Sequence, residues 1–319
     1  MKTILVTGAL GQIGSELTMM LRGLYGEANV VASDLRCDFQ HEIAETGPCE
    51  QLDITNGKAV HEIVEKYNID TVYHLAAILS GVGEKNPELA YNVNMGGLKN
   101  ILDIAREKEM VRVMVPSSIA VFGPSTPHDN TPQDTILRPN SMYGVTKVAG
   151  ELLCDYYWEK FGVDVRGVRY PGLISYKTMP GGGTTDYAVA IYHEAIKEKQ
   201  YTCFVKESTV LPMMYMPDAL KAIVDLANTD GDRLRYRNAY NIGALSFDVA
   251  ELANSIKKHI PEFSINYEPD YRQQIADGWP HSVDDSSARL DWNWKPEYDL
   301  EMMTEDMLKH LGEMYKVTA

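Results

Sequence analysis

Cysteine is scarce in this 319-residue chain: Cys37, Cys49, Cys154 and Cys203 stand far apart, and none forms a Cys-x-x-Cys pair. That spacing gives little support to a disulfide framework or a zinc site, so inert thiols and no metal are expected. The eight histidines are isolated too, with no His-x-x-x-His pattern. Positive charge is in short supply: 30 Lys and Arg face 45 Asp and Glu, a net charge of −15. A surface this acidic repels phosphate backbones and anionic lipids, which argues against nucleic acid and membrane surfaces as partners. No stretch approaches the roughly 20 apolar residues that span a bilayer. Ahead of Gly8 stand one Lys and the short run Thr3–Thr7, less than the apolar core of a signal peptide. A soluble, cytoplasmic protein is the expectation.

What is present is a globular composition, 45% hydrophobic and 24% charged. At roughly 150 residues per domain, the length predicts two domains. The first half alternates strand-like apolar runs (Thr3–Thr7, Val30–Ser33, Thr71–Leu75, Arg112–Pro116, Val163–Tyr170) with stretches of helical period (Gln12–Leu24, Lys58–Tyr67, Tyr91–Glu107, Met142–Phe161). Such alternation predicts an α/β fold, a doubly wound Rossmann parallel sheet, with a smaller α/β domain beside it. After Tyr170 the texture becomes rich in Pro and Gly, with shorter helices around 187–198, 218–228, 247–259 and 300–311. The predicted boundaries are a nucleotide-binding domain over 1–170, rejoined by 213–242, and a substrate domain over 171–212 and 243–319.

The turn Gly8-Ala9-Leu10-Gly11-Gln12-Ile13-Gly14 follows the first strand and opens the first helix. Glycines there let the backbone approach a pyrophosphate, whose charge the helix N-terminus stabilises. Asp34, followed by Leu35, ends the second strand 20 residues after Gly14, where a carboxylate accepts hydrogen bonds from an adenosine ribose and repels the extra phosphate of NADP. NAD is therefore the expected cofactor, with Arg36 read as a solvated charge. Asp53-Ile54 is placed beside the adenine, although Asp53 could equally cap the helix that begins near Asn56. Leu75-Ala76-Ala77 ends the fourth strand with small residues that let a cofactor lie against the backbone; helix packing would use small residues as well.

Tyr143 and Lys147 stand at i and i+4 of the helix over 142–161, on one face, where an ammonium can stabilise a phenolate. A phenolate so placed removes a hydroxyl proton while hydride leaves the adjacent carbon. Ser118 ends the preceding strand, 25 residues before the tyrosine, and its hydroxyl can orient the reacting oxygen. A Tyr-x-x-x-Lys match alone is usually an exposed surface pair. Behind a dinucleotide turn and a strand-end serine, it reads as a catalytic set of Ser118, Tyr143 and Lys147.

With these motifs the chain resembles the extended short-chain dehydrogenase/reductase family, which pairs Gly-x-x-Gly-x-x-Gly with Ser/Thr and Tyr-x-x-x-Lys. The resemblance covers essentially the whole chain. It implies a seven-stranded parallel sheet, a structural asparagine at Asn94, and a homodimer through a four-helix bundle that includes the Tyr-x-x-x-Lys helix. It also implies that Lys147 holds the nicotinamide ribose and that Asn94 and Tyr170 belong with the cofactor contacts. The segments Arg169–Ser175, Pro180–Val189 and Asp277–Pro280 are similar to those of the short-chain type of L-threonine 3-dehydrogenases. That likeness implies NAD-dependent oxidation of L-threonine to 2-amino-3-oxobutanoate. Asp186 would meet the substrate ammonium, Ser80, Thr184 and Thr185 its carboxylate or hydroxyl, and Trp279 would cover the pocket. A plainer reading makes Thr184-Thr185-Asp186 the N-cap of the helix from Tyr187 and Trp279 a packed aromatic beside a turn. The alternatives are a nucleotide-sugar 4-epimerase or dehydratase on the same architecture, for which arginines at 233, 235, 237, 272 and 289 are available, and a non-catalytic NAD-sensing regulator. Arg233–Arg237 reads more simply as a solvated turn.

Overall fold

The computed structural model describes residues 2–36 and 42–317, so the expectation for Cys37 lies outside the described residues. Two compact units emerge, Met1–Ser118 with Met142–Arg169 and Leu220–Tyr240, and Ile119–Ser141 with Tyr170–Ala219 and Asn241–Ala319.

The first unit runs β1 (Ile4–Thr7), α1 (Gln12–Tyr25), β2 (Val30–Asp34), α2 (Glu42–Glu45), β3 (Cys49–Gln51), α3 (Gly57–Tyr67) and β4 (Thr71–His74). It continues through α4 (Ser80–Lys85), α5 (Pro87–Tyr91), a π-helical turn (Asn92–Gly96), α6 (Gly97–Glu107), β5 (Arg112–Met114), β6 (Ser117–Ser118), α7 (Met142–Phe161), β7 (Val165–Arg166) and β8 (Val168–Tyr170). Ile4, Leu5 and Val6 are wholly buried, as an apolar run covered on both faces must be at the centre of a parallel sheet. Each such side chain contributes about 1.5–3 kcal/mol by leaving water.

The sheet has the order β3-β2-β1-β4-β5-β7, and every pair is parallel. The strand order reverses between β1 and β4, which opens a crevice at their carboxyl ends. The described residues supply six strands to this sheet, where seven were expected. The run Val163–Tyr170 does not enter it whole: it breaks at Gly167, where a Cβ would stand 2.0 Å from the Val115 carbonyl oxygen, and β8 joins a separate small sheet with β6. The helical stretch Tyr91–Glu107 likewise contains the π turn, which periodicity does not distinguish from α.

Residues 220–240 are held to the rest of the first unit by the buried Arg166 and the half-buried Arg112. Arg166 donates to the carbonyls of Leu226 (2.9 Å) and Thr229 (2.5 Å), and Arg112 to that of Ala227. The return segment is thus narrower than 213–242. Residues 119–141, placed with the nucleotide domain by sequence, fall in the second unit: Thr131 exchanges backbone bonds with Ser282 and Asp284, and Gln133 accepts from the Asn241 amide.

The second unit adds β9 (Gly172–Ile174), α8 (Tyr187–Lys197), β10 (Gln200–Cys203), β11 (Leu211–Tyr215), α9 (Met216–Asn228, shared with the first unit), β12 (Tyr240–Asn241), β13 (Leu245–Phe247), α10 (Val249–His259), β14 (Ser264–Tyr267), α11 (Arg272–Ala276), α12 (Ser286–Trp292) and α13 (Leu300–Val317). β11 pairs parallel with β9 and antiparallel with β13, and β10 pairs parallel with β14. Helices α8, α10 and α13 meet around three buried hydroxyls: Tyr192 and Ser255 both bond Thr304, at 2.8 and 2.9 Å. Satisfied in this way, polar groups sit in an apolar core at little cost.

Candidate active site

The glycine turn is built by close backbone approach. Gly8 has φ +69°, and a Cβ on it would lie 2.7 Å from the Ala76 nitrogen; a Cβ on Gly14 would lie 2.0 Å from the Gly8 carbonyl oxygen. The first and third glycines therefore pack β1, β4 and α1 together, with Ala76 and Leu75 forming the opposing backbone. Gly11 differs. It is exposed, it stands at the N-cap of α1 with no side-chain cap, and only the Gly8 carbonyl would come near a Cβ there, at 3.2 Å. The first turn of α1 holds no acidic residue, with Gln12 and Ile13 half-buried in it. An uncapped helix N-terminus open on its glycine side fits the pyrophosphate of a dinucleotide.

Asp34 stands at the end of β2 with one carboxylate oxygen accepting the Leu10 amide (3.1 Å) and the other the Arg36 amide (3.4 Å). It thereby fixes the glycine turn. Leu35 is exposed. Asp53 accepts from the Thr55 amide and hydroxyl at 2.9 and 2.7 Å, while Asn56 caps α3 through the Ala59 amide. The capping role weighed for Asp53 thus belongs to Asn56. Ile54 is buried, and a Cβ on Gly97 would clash with its side chain.

Tyr143 and Lys147 share a face of α7, with the Lys147 Nζ 5.5 Å from the centre of the Tyr143 ring. Lys147 donates to the Pro116 carbonyl at 2.7 Å, which brings the ammonium to the strand end that carries Ser117 and Ser118. The start of α7 is fixed by Glu84 of α4, whose carboxylate accepts the Met142 amide at 2.6 Å, a favourable charge at a helix N-terminus. Behind Lys147 lies a cavity of about 30 Å³ lined by His74, Asn94, Ser117, Thr146 and Glu151 among others. That is room enough to hold a water molecule. His74 is buried beside Thr7 (2.9 Å); burial, together with the Lys147 charge, pushes its imidazole down to about 3, so it is neutral at physiological pH. Three site features were missed by sequence reasoning: Glu84, Ser117 and Glu151. Only Glu151 carried a signal, since it continues the 143/147 face by one more turn.

The remaining expectations are distributed. Ser80 opens α4 in the first unit and is buried. Tyr170 lies in the second unit, buried, with its hydroxyl donating to the Ala219 carbonyl at 2.6 Å. Thr184, Thr185, Asp186 and Trp279 are also in the second unit. Thr184 and Trp279 are buried there. Asp186 precedes α8 but makes no cap bond to it; its carboxylate turns back to accept the Gly182 and Gly183 amides, both at 2.7 Å, and closes the glycine loop on itself. Arg237, read as part of a solvated turn, instead stacks over Trp158 at 3.7 Å and pairs with Asp164 at 3.3 Å. Arg233 and Arg235 are exposed. Among the described residues no group of three or more His, Cys, Asp or Glu gathers as for a metal ion, and no helix is long and apolar enough to cross a membrane.

The profile of the NAD dependent epimerase/dehydratase family matches residues 4–243. The chain belongs to that family. NAD is its cofactor, and the Gly8–Gly14 turn with Asp34 is the part of the chain that fits it. Among curated relatives, an uncharacterized epimerase/dehydratase of Staphylococcus saprophyticus is 52% identical over 309 residues, 97% of this chain and 96% of that protein. Among solved structures, an L-threonine dehydrogenase from Clostridium difficile is 58% identical with a TM-score of 0.96, covering 98% of both chains. An L-threonine 3-dehydrogenase from a metagenome, described as monomeric, is 48% identical with a TM-score of 0.95, covering 98% of this chain and 99% of that one.

Proposed function

We propose that the protein is an NAD-dependent L-threonine 3-dehydrogenase, oxidising L-threonine to 2-amino-3-oxobutanoate. The observation that carries the reading is the 58% identity to an L-threonine dehydrogenase over 98% of the chain. It is joined to a site in which Tyr143, Lys147 and the Ser118 strand end meet. Tyr143 is the base that removes the proton from the substrate hydroxyl. Ser118 holds that oxygen, and Lys147 stabilises the phenolate and binds the nicotinamide ribose. The glycine turn Gly8–Gly14 at the start of α1 would hold NAD, which when bound would supply the acceptor for the hydride leaving the substrate β-carbon. Gly8, Gly11, Gln12, Ile13, Gly14, Asp34, Leu35, Asp53, Ile54, Leu75, Ala76, Ala77, Asn94 and Tyr170 are assigned to the cofactor. Ser80, Thr184, Thr185, Asp186 and Trp279 are assigned to the zwitterionic substrate.

Purified protein is assayed with L-threonine, D-threonine, L-serine and UDP-galactose, each with NAD and NADP. NADH production with L-threonine alone supports the reading. Interconversion of UDP-galactose without net NADH would replace it by an epimerase, and NAD binding with no turnover of any substrate by a sensor. The same reading takes the protein as a homodimer through α7, whose Val145, Leu152 and Tyr156 are exposed along one side.

A further inference from the structure

Glu151 stands four residues beyond Lys147 and eight beyond Tyr143, so all three share a side of α7. Its carboxylate accepts the Ser117 hydroxyl at 2.5 Å on one oxygen. Arg169 of β8 grips both oxygens, Nε at 2.9 Å and Nη2 at 2.8 Å. Glu151, Ser117 and Arg169 are only 6, 7 and 6% exposed. Two successive turns of α7 therefore hold the same piece of chain: Lys147 takes the Pro116 carbonyl, and Glu151 takes the Ser117 hydroxyl.

Ser117 touches no reacting atom, but it is the residue before Ser118. Successive side chains leave a strand in opposite directions, so anchoring the Ser117 hydroxyl sets the direction in which Ser118 leaves it. The bidentate arginine in turn fixes the carboxylate, leaving it one orientation. Buried ion pairs are a poor source of stability compared with apolar packing of the same volume, and their best attested use is to specify one register. The arrangement here specifies the register of β6 against α7.

The geometry points to Glu151, acting through Ser117, as a positioning residue that sets Ser118 against Tyr143 and Lys147. The inference rests on the dehydrogenase reading for the identity of the reaction and on the hydrogen bonds for the positioning. Neither Glu151 nor Ser117 is a catalytic residue in this scheme. Loss of the link displaces Ser118 while the cofactor turn and the Glu151–Arg169 pair stay intact.

The test uses Ser117→Ala, which removes the hydroxyl alone, and Ser117→Thr, which retains it. Misplacement of a catalytic group by about 1 Å can lower turnover by about 100-fold, so kcat for Ser117→Ala is expected to fall by at least about 10-fold. The Kd for NAD is expected to stay within about two-fold, because the glycine turn and Asp34 do not depend on the link. Ser117→Thr is expected to restore most of kcat. A Ser117→Ala enzyme with wild-type kcat, or one whose loss is matched by weaker NAD binding and not restored by Ser117→Thr, would overturn the proposal. Amide hydrogen exchange of residues 117–120 supplies a readout that needs no substrate: faster exchange in Ser117→Ala is expected, and unchanged exchange would overturn the positioning role. Wild-type protein inactive toward threonine would sink the substrate reading alone, since the exchange comparison stands without it.

Discussion

Asn94 and Thr146, 52 residues apart, are joined by a hydrogen bond of 3.0 Å from the asparagine amide to the threonine hydroxyl. The Asn94 side chain also accepts from the Ile78 amide at 2.8 Å and donates to the Ile78 carbonyl at 3.1 Å. Thr146 passes the connection on, donating to the Tyr143 carbonyl at 2.8 Å. One buried side chain thus ties the loop after β4 to the first turn of α7, where Tyr143 sits. The π turn at 92–96 presents Asn94 in this position, a use to which π turns are often put.

Replacing Asn94 by Leu removes three hydrogen bonds and leaves the Ile78 backbone groups without their side-chain partner. An unsatisfied buried polar group costs about 1–3 kcal/mol, so the unfolding free energy is expected to fall by about that amount, measured by urea titration. Turnover is expected to fall further than stability alone explains, because the start of α7 loses its tie. A variant with unchanged stability and turnover would show that the bond is incidental.

The glycine turn offers a contrast within one helix. Gly14→Ala places a methyl 2.0 Å from the Gly8 carbonyl oxygen, a clash only backbone movement relieves. NAD affinity is expected to drop at least about 10-fold, or about 1.4 kcal/mol. Gly23→Ala, later in α1, meets nothing within 4 Å and is exposed. Alanine is better than glycine in a helix by about 1 kcal/mol, so this variant is expected to bind NAD normally and unfold at higher urea. Equal NAD affinities for the two variants would remove the packing role assigned to Gly14.

His74 carries a pH dependence with a definite sign. Burial first, and then the Lys147 charge, holds its imidazole at about 3 in the folded protein, while an unfolded chain titrates near its ordinary 6.5. As pH falls from about 6.5 toward 3, the unfolded state takes up a proton that the folded state refuses, and stability declines by about 1.4 kcal/mol per unit. From pH 7 to pH 5, wild-type protein is expected to lose about 2 kcal/mol more than His74→Gln. Chemical denaturation at the two pH values measures this, and parallel losses would contradict it.

Much of this was legible in the residues. The close-packed glycine turn, Asp34 at the end of β2 and the shared Tyr143/Lys147 face stand as their spacing predicts, and α7 runs from 142 to 161, as its periodicity predicts. The unread parts depend on pairings across long stretches of chain. Periodicity says nothing about which unit a loop such as 119–141 joins. Nor does it show that Arg237 lies over Trp158 and against Asp164, or that Glu84 caps α7. Gly167 was readable in principle, as a glycine inside an apolar strand run marks a bulge or a close approach.

The oligomeric expectation turns on exposed apolar side chains of α7 and its neighbours. Leu152 is 63% exposed and Tyr156 52%. At the start of α7 an open groove of about 440 Å³ is lined by Pro87, Glu88, Tyr91, Asn92 and Met142. Contiguous exposed apolar surface marks an interface. Light scattering after gel filtration is expected to give a dimer for wild-type protein and a monomer for Leu152→Glu/Tyr156→Lys. A monomeric wild type would align the protein with the metagenomic neighbour described as monomeric.

The base assignment has the sharpest test. Tyr143→Phe removes one oxygen from a side chain whose ring, beside Lys147, is otherwise unchanged in shape. If Tyr143 takes the substrate proton, kcat falls by about 100- to 10,000-fold, the usual contribution of a general base. NAD binding, measured by fluorescence, is expected to hold, because the glycine turn and Asp34 are untouched. Lys147→Met is expected to weaken both if the ammonium serves the phenolate and the ribose together, as proposed. Ser118→Ala is expected to lower kcat while NAD affinity stays unchanged. Full activity in Tyr143→Phe would move the base elsewhere.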